Sequence, residues 1–549
     1  MNNLNVNSAL LKANLFEKKE KKNEAKQLYI KILKKFPKNQ RALEGLNKLE
    51  INSKEDVSQS QIDKLFELYN KGYMNAVEEL SHELVKNTHS NYLVWNIRGG
   101  ANISMKNYKS AESAFREAIK ISPKRSETYN NLGIALKEQN KIQEALYNYE
   151  KAITLQPTFC EAYNNIGVLF QSLKKYDKSI PYFKKTVTIQ TNYSNGYNNL
   201  GMSLKEIGHL EEASKNFEAA IYYNPNHSQA HCNLGIIQII LKKFDDAISN
   251  LLKSISLNPR YESAYNNLGI AYKEKKMFKD AMSSFKRAIS LKPDYYQVFN
   301  NIASMYHNTG DYENAISYYK KAVIINPNYH QAQHMLDSLS GKKNQSAPAD
   351  YVIDLFDGFA KTFEDSLTKK LSYNVPYLIK EQVLQDCNYK NSSDVLDLGC
   401  GTGLVGKELF GLVNKIEGID LSSSMLSEAE RKGVYNQLTK ADIFNYLSKE
   451  YLNFDYYIAA DVFIYVGDIS KIFETIKAKN KKNGKLIFST EIYDGEDFKL
   501  EKSGRFSHSH KYIKNLCNVY DYNLDYFKKI KLRKEKKDFI AGGLYKLSF

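Results

Sequence analysis

The sequence predicts two architectures in series: an all-α superhelix of repeated helix pairs, then an open, largely parallel α/β sheet. Three observations carry this. An Asn-Leu/Ile-Gly/Ala triplet recurs with its Asn at Asn131, Asn165, Asn199, Asn233, Asn267 and Asn301, a period of 34 residues. Beyond about residue 350 the pattern changes to short apolar runs alternating with helical stretches. The first of those runs ends in a glycine-rich turn, Asp397-Leu-Gly-Cys-Gly-Thr-Gly403.

The repeat has a physical logic. Proline returns at Pro123, Pro157, Pro225, Pro259, Pro293 and Pro327, with Thr191 filling the one gap. It ends the second helix of each unit. Small residues recur at Ala111, Ala145, Ser179, Ala213, Ala247, Ala281 and Ala315. Large ones follow four positions later, at Phe115, Tyr149, Phe183, Phe217, Leu251, Phe285 and Tyr319. The small positions let two helices approach, and the large ones fill the groove against the next unit. This is the tetratricopeptide pattern. The array is expected over 1–340. Clear repeats run 92–329, an earlier one fits near 6–39, the stretch near 40–91 is degenerate, and 330–340 is a capping helix. Residues 341–349 are short and polar and read as a linker. The α/β domain is expected over 350–549.

The six repeat asparagines sit on the first helix of each unit. An amide carries donors and an acceptor, so such a row can hold an extended peptide backbone without reading its sequence. It resembles the asparagine ladder in the repeats of O-GlcNAc transferases. The alternative is that each Asn bonds a neighbouring helix and only shapes the array.

Charge points the same way. Residues 345–549 hold 30 basic and 29 acidic side chains, so the other 48 basic and 33 acidic ones leave +15 on 1–344. Such a field steers an acidic partner, or it is the bias of a Lys- and Asn-rich composition. The five cysteines, Cys160, Cys232, Cys387, Cys400 and Cys517, are scattered and form no Cys-x-x-Cys. That suits a reducing, cytoplasmic setting and argues against structural zinc or any other metal site. No apolar stretch reaches the roughly 18–20 residues of a membrane span.

Candidate strands in the second half are Asp394–Leu398, Lys415–Asp420, Gln437–Lys440, Tyr456–Ala460, Lys485–Ser489, Tyr526–Leu532 and Phe539–Leu547. The last two are close enough for a hairpin. The glycines of the turn are Gly399, Gly401 and Gly403, which is not the dinucleotide G-x-G-x-x-G spacing. An acid, Asp397, stands two residues ahead of the first. A carboxylate there repels a pyrophosphate but accepts a bond from an ammonium, and S-adenosylmethionine carries an ammonium and no phosphate. Asp420 ends the second strand, where an acid can take both ribose hydroxyls of an adenosine. Asp442 follows the third, within reach of an adenine amino group. Each acid taken singly also fits a helix N-cap.

At these residues the chain resembles the class I S-adenosylmethionine-dependent methyltransferases, with their Rossmann-like, seven-stranded, mostly parallel sheet. More closely it looks like the bacterial predicted methyltransferases that carry tetratricopeptide repeats. The matching pieces include Asp354–Ala360, Leu396–Gly403, Gly418–Met425, Lys432–Tyr435, Ala459–Tyr465, Phe488–Glu491 and Ser503–His508. The resemblance implies S-adenosyl-L-methionine as cofactor. It places its methionine part on Asp397 and the turn Gly399, Cys400, Gly401, Thr402 and Gly403. It places the ribose on Asp420, with Leu421 and Met425 beside the adenine and Asp442 and Ile443 at its edge. Asp461 would face the sulfonium. Tyr351, Phe356, Phe359 and Phe363 would close over the cofactor.

A general base is needed only if the acceptor arrives protonated. Candidates are Asp461, Tyr465, Glu491, His508 and His510, the two histidines reading as part of a polar loop. Asp461 is favoured for positioning, and His510 is the weaker choice as base. The run Lys528–Lys537 reads as the outer face of the final hairpin rather than a nucleic-acid site. The leading reading is a methyltransferase whose repeats recruit a protein or peptide. The alternatives are a small-molecule methyltransferase with repeats for assembly, and a non-catalytic scaffold that binds cofactor.

Overall fold

The computed structural model describes residues 6–18, 21–51, 57–87, 91–357, 360–364, 367, 371–386, 392–448, 451–535 and 538–549. Phe359 and Cys387 fall outside them. The chain forms two compact units, 1–271 and 272–549.

The first unit is built of helix pairs. Val6–Lys18 with Lys22–Lys35 supplies the early repeat, and Ser126–Glu138 with Ile142–Leu155 is a typical later one. The period has a steric origin. A Cβ added at Gly201 would lie 2.7 Å from the Phe217 ring, and one at Gly133 would meet Tyr149 at 2.5 Å. The aromatic of each pair's second helix therefore seats on the glycine of its own first helix. It also reaches the next unit: Phe115 shares a buried cluster with Leu132 and Leu136.

The second unit holds the helices Phe278–Leu291, Tyr296–Thr309, Tyr312–Ile325 and His330–Leu339, and then the sheet. Its strands are β1 Asp394–Leu398, β2 Lys415–Asp420, β3 Gln437–Lys440, β4 Tyr456–Ala459, β5 Lys485–Ile492, β6 Phe498–Leu500, β7 Phe506–His508, β8 Asn523–Glu535 and β9 Asp538–Ser548. They run in the order β3-β2-β1-β4-β5-β7-β6, with β9 paired to β5 and β8 to β9. The pairings from β3 through β5 are parallel, while β9 runs antiparallel to both β5 and β8. All seven expected strands form. The short pair β6–β7 is added where a polar loop was expected, because three residues a side carry too little alternation to read.

Alternate residues of the central strands enter different cores. Leu396, Leu398, Tyr457 and Phe488 join one cluster, and Val395, Ile416, Ile458 and Ile487 join the other. Both faces are covered, as a parallel sheet requires. The chain turns from one half of the sheet to the other between β1 and β4, which opens a crevice at their carboxyl ends.

The linker is pinned to that crevice. Ala347 N–H donates to Tyr465 O at 2.9 Å, and Gly467 N–H to Gln345 O at 2.8 Å. Among the described residues no helix is long and apolar enough to cross a membrane.

Gly201→Ala tests the seat. The new methyl overlaps Phe217, so the variant is expected to lose about 1–3 kcal/mol despite its better helix propensity. Urea unfolding would read this, and an unchanged midpoint would contradict it.

Candidate active site

A cavity of about 380 Å³ opens at the switch point. Asp397, the turn residues Gly399, Cys400, Gly401 and Thr402, and Asp420, Leu421, Met425, Asp442 and Ile443 line one part of it. Phe356, Phe363, Tyr373, Asp461, Tyr465, Arg505 and Arg533 line the rest.

Asp397 is buried at the end of β1. Its Oδ2 accepts from Tyr435 Oη–H at 2.7 Å, while Oδ1 is buried with no hydrogen-bond partner. Burial, with the Asp420 charge adding to it, pushes its carboxyl up to about 7. A buried carboxylate with an idle oxygen is a site for a cation. Thr402 Oγ1 is likewise buried and unpartnered. The turn bends through Gly399, Gly401 and Gly403, all at positive φ. Lys432 Nζ donates to Thr402 O and pairs with Glu364.

Asp420 receives Gly401 N–H on Oδ2 at 2.9 Å and Ser422 N–H on Oδ1 at 2.8 Å. Burial raises its pKa. Asp442 caps the helix Ile443–Leu447, accepting from Phe444 N–H at 2.9 Å and Asn445 N–H at 3.2 Å, and still lines the cavity. An idle anionic oxygen, a backbone turn and two more acids on one wall fit the ammonium and ribose of S-adenosylmethionine.

A second cluster backs another part of the lining. Arg533 is buried and pairs with both Asp461 and Glu491. Arg505 Nε donates to Glu491 at 2.6 Å, and its other end pairs with Glu535. Ser489 Oγ–H donates to Asp461 Oδ1 at 3.1 Å and accepts Asp461 N–H at 2.9 Å. These bonds hold Asp461 at a φ of +57°, a left-handed conformation unusual for a non-glycine residue. Tyr465 and Tyr373 stand nearby with phenols raised by burial.

Gly403 and Glu491 adjoin the cavity residues without lining the cavity, and three more expected residues lie elsewhere. Tyr351 is not on the cavity wall; its ring is 4.5 Å from His334. On the helix Ala349–Asp357 it stands five residues from Phe356, about 140° around, whereas Val352 and Phe356 share the cavity face. His510 does not line the cavity either; it stacks on Phe527 at 4.0 Å, with burial, Lys514 and Lys529 lowering its pKa. His508 is no loop residue but a buried part of β7. Its nitrogens bond Thr490 Oγ1 at 2.6 Å and Gly467 O at 2.8 Å, and burial drives its pKa down to about 4.

The repeat asparagines bond from repeat to repeat. Asn165 Nδ2 donates to Asn130 Oδ1 at 2.8 Å, Asn199 to Asn164 at 3.0 Å and Asn233 to Asn198 at 2.9 Å. Asn267 would need an acceptor at position 232, which is Cys232, and turns to Ser263 O at 2.9 Å instead. All six, including Asn131 and Asn301, are partly exposed.

Local sequence pattern does not single out Arg533, Arg505, Tyr373 or Tyr435. Arg533 was hidden in a lysine run, and the pairing register of β8 with β9 is irregular between Lys531 and Lys534. An Arg in place of Lys was the one available signal, since Arg is the residue of bidentate buried pairing.

Two outcomes follow from these environments. Removing Arg533 leaves Asp461 without its cation and Glu491 with Arg505 alone, so Arg533→Ala is expected to cost about 3–5 kcal/mol in urea unfolding. Asp397 holds its proton more tightly folded than unfolded. Its contribution to stability is therefore full below about pH 4 and lost as pH rises through about 7. Without ligand, Asp397→Asn should gain on the wild type from about pH 4 to about pH 7, and parallel melting curves would contradict this.

A family model described as a methyltransferase domain matches residues 390–535. Tetratricopeptide-repeat models match 126–159, 263–295 and 296–329, and also 92–125, 161–193, 194–227 and 228–261. An uncharacterised methyltransferase of Schizosaccharomyces pombe is 24% identical over 157 residues, 25% of this chain and 55% of that protein. The ubiquinone biosynthesis O-methyltransferase of Paraburkholderia phymatum is 31% identical over 100 residues, 18% of this chain and 43% of that one. The chain thus spans about half the length of these relatives. The solved Cut9–Hcn1 hetero-tetramer of the APC/C aligns with 61% of this chain and 76% of its own, at 17% identity and a TM-score of 0.41. The chain carries tetratricopeptide repeats followed by a methyltransferase domain.

Proposed function

We propose that this protein is a cytoplasmic S-adenosylmethionine-dependent methyltransferase whose repeats recruit a protein or peptide, extended and acidic in character. The functional parts are 1–340 and 350–549, joined by 341–349. The observation that carries the reading is the idle Oδ1 of buried Asp397 on a cavity wall shared with Asp420 and Asp442. Asp397 and the Gly399–Gly403 turn would hold the methionine part, Asp420 the ribose, Leu421 and Met425 the adenine faces, and Asp442 and Ile443 its edge. Phe356 and Phe363, edge to face at 5.7 Å on the cavity wall, would keep water from the bound cofactor.

S-adenosylmethionine supplies, when bound, a methyl group already activated on sulfur. The chain's own residues then have to align an acceptor and keep water out. Asp461, held by Arg533 and Ser489, offers a fixed point for an acceptor N–H or O–H. Tyr465 shapes the same wall. Asp461 and Glu491 are tied to arginines, and burial keeps the nearby phenols protonated. This wall suits an acceptor atom that arrives with a free lone pair.

The basic repeats and the partly exposed asparagine row support recruitment. Their amides already serve the array, so a peptide would lie along the row rather than replace its bonds.

The test is calorimetry with S-adenosylmethionine on the full chain, followed by transfer of labelled methyl groups into extract of cells lacking the protein. Asp420→Ala is expected to weaken binding about 10- to 100-fold, the loss of hydrogen bonds to a charged group. Label in protein bands supports recruitment, while label only in small molecules would remove it. A wild type that binds no cofactor would remove the enzyme reading.

A further inference from the structure

The turn 501–505 joins β6 to β7 and is gripped by three repeat helices. From His330–Leu339, fully buried His334 places Nε2 2.7 Å from Gly504 O. A carbonyl only accepts, so Nε2 carries the proton and Nδ1 is the bare nitrogen, buried without a partner. Gly504 has a φ of +80°, and a Cβ there would lie 3.0 Å from Met335 Sδ. From Tyr296–Thr309, His307 Nε2 reaches Lys502 O at 2.9 Å. From Tyr312–Ile325, the Tyr312 ring lies 4.1 Å from Lys502 Nζ. Inside the turn, Glu501 N–H donates to Arg505 O at 2.8 Å and Gly504 N–H to Glu501 O at 2.9 Å.

The residue after the gripped glycine is Arg505. Its side chain lines the cavity and holds Glu491, which holds Arg533, which holds Asp461. The cofactor wall has separate supports in Tyr435, Lys432 and Ser422.

We infer that the closing repeat helix is a working part of the transfer site, with His334 a positioning residue. Through the 501–505 turn it sets Arg505 and the cluster that aims Asp461 at the acceptor. The inference rests on the reading of the cavity as the transfer site. It separates two effects: loosening the grip harms acceptor alignment and spares cofactor binding.

The experiment compares full-length wild type with His334→Ala, His334→Gln and His307→Ala. Three quantities are read: hydrogen exchange of the 501–505 amides, S-adenosylmethionine affinity, and the initial rate of label transfer into extract. His334→Ala should speed exchange in the turn about tenfold. It should slow transfer about 10- to 100-fold while cofactor affinity stays within about twofold. The Gln amide can donate to the same carbonyl, so His334→Gln should recover most of both losses. Unchanged exchange in the turn, an unchanged transfer rate, or Gln no better than Ala would each overturn the inference. If His334→Ala does not fold, His307→Ala carries the comparison, with faster exchange and slower transfer expected at normal affinity. A wild type that binds no S-adenosylmethionine sinks the reading of the cavity itself and the inference with it. Normal binding with no effect from either histidine sinks only the positioning role.

Discussion

Arg533 is the tie on which one side of the crevice at the ends of β1 and β4 depends. It stands near the end of β8, yet it pairs with Asp461 just past β4 and with Glu491 within β5. Burying Glu491 beside Asp461 without a cation would be costly, because removing charge from water costs several kcal/mol per ion. The pairing brings the antiparallel edge onto the parallel centre. It also holds Asp461 in a backbone conformation that a non-glycine residue rarely adopts.

The wall at Asp397 is built on the reverse principle. Asp397 keeps one oxygen unsatisfied, and burial makes its charge expensive until a cation arrives. One wall is therefore complete as folded, and the other keeps a buried carboxylate oxygen unpaired. The methyltransferase family match covers both, from 390 to 535. The grip of His334 on Gly504 extends the complete wall back into residues that precede that match.

The repeats of the first unit rest on two contacts that recur with the sequence period. A glycine receives the aromatic of its own second helix, and an asparagine amide reaches the asparagine one repeat back. Cys232 interrupts the second contact, and Asn267 turns to its own helix instead. The row thus reads first as a register device, and any peptide would meet its exposed edge.

The sequence by itself determined the repeat, the seven expected strands, the glycine turn and the acids at Asp397, Asp420 and Asp442. Each is written in local periodicity or in spacing within one strand–turn–helix unit, where neighbouring residues decide the outcome. The tertiary structure alone decided the second wall. Arg533 meets Asp461 across 72 residues, and His334 meets Gly504 across 170. No local pattern encodes such contacts. For the same reason no local pattern shows that His508 lies in a strand, that Tyr351 packs on His334 or that His510 stacks on Phe527. Their environments are set by which elements pack around them, and only the folded chain specifies that.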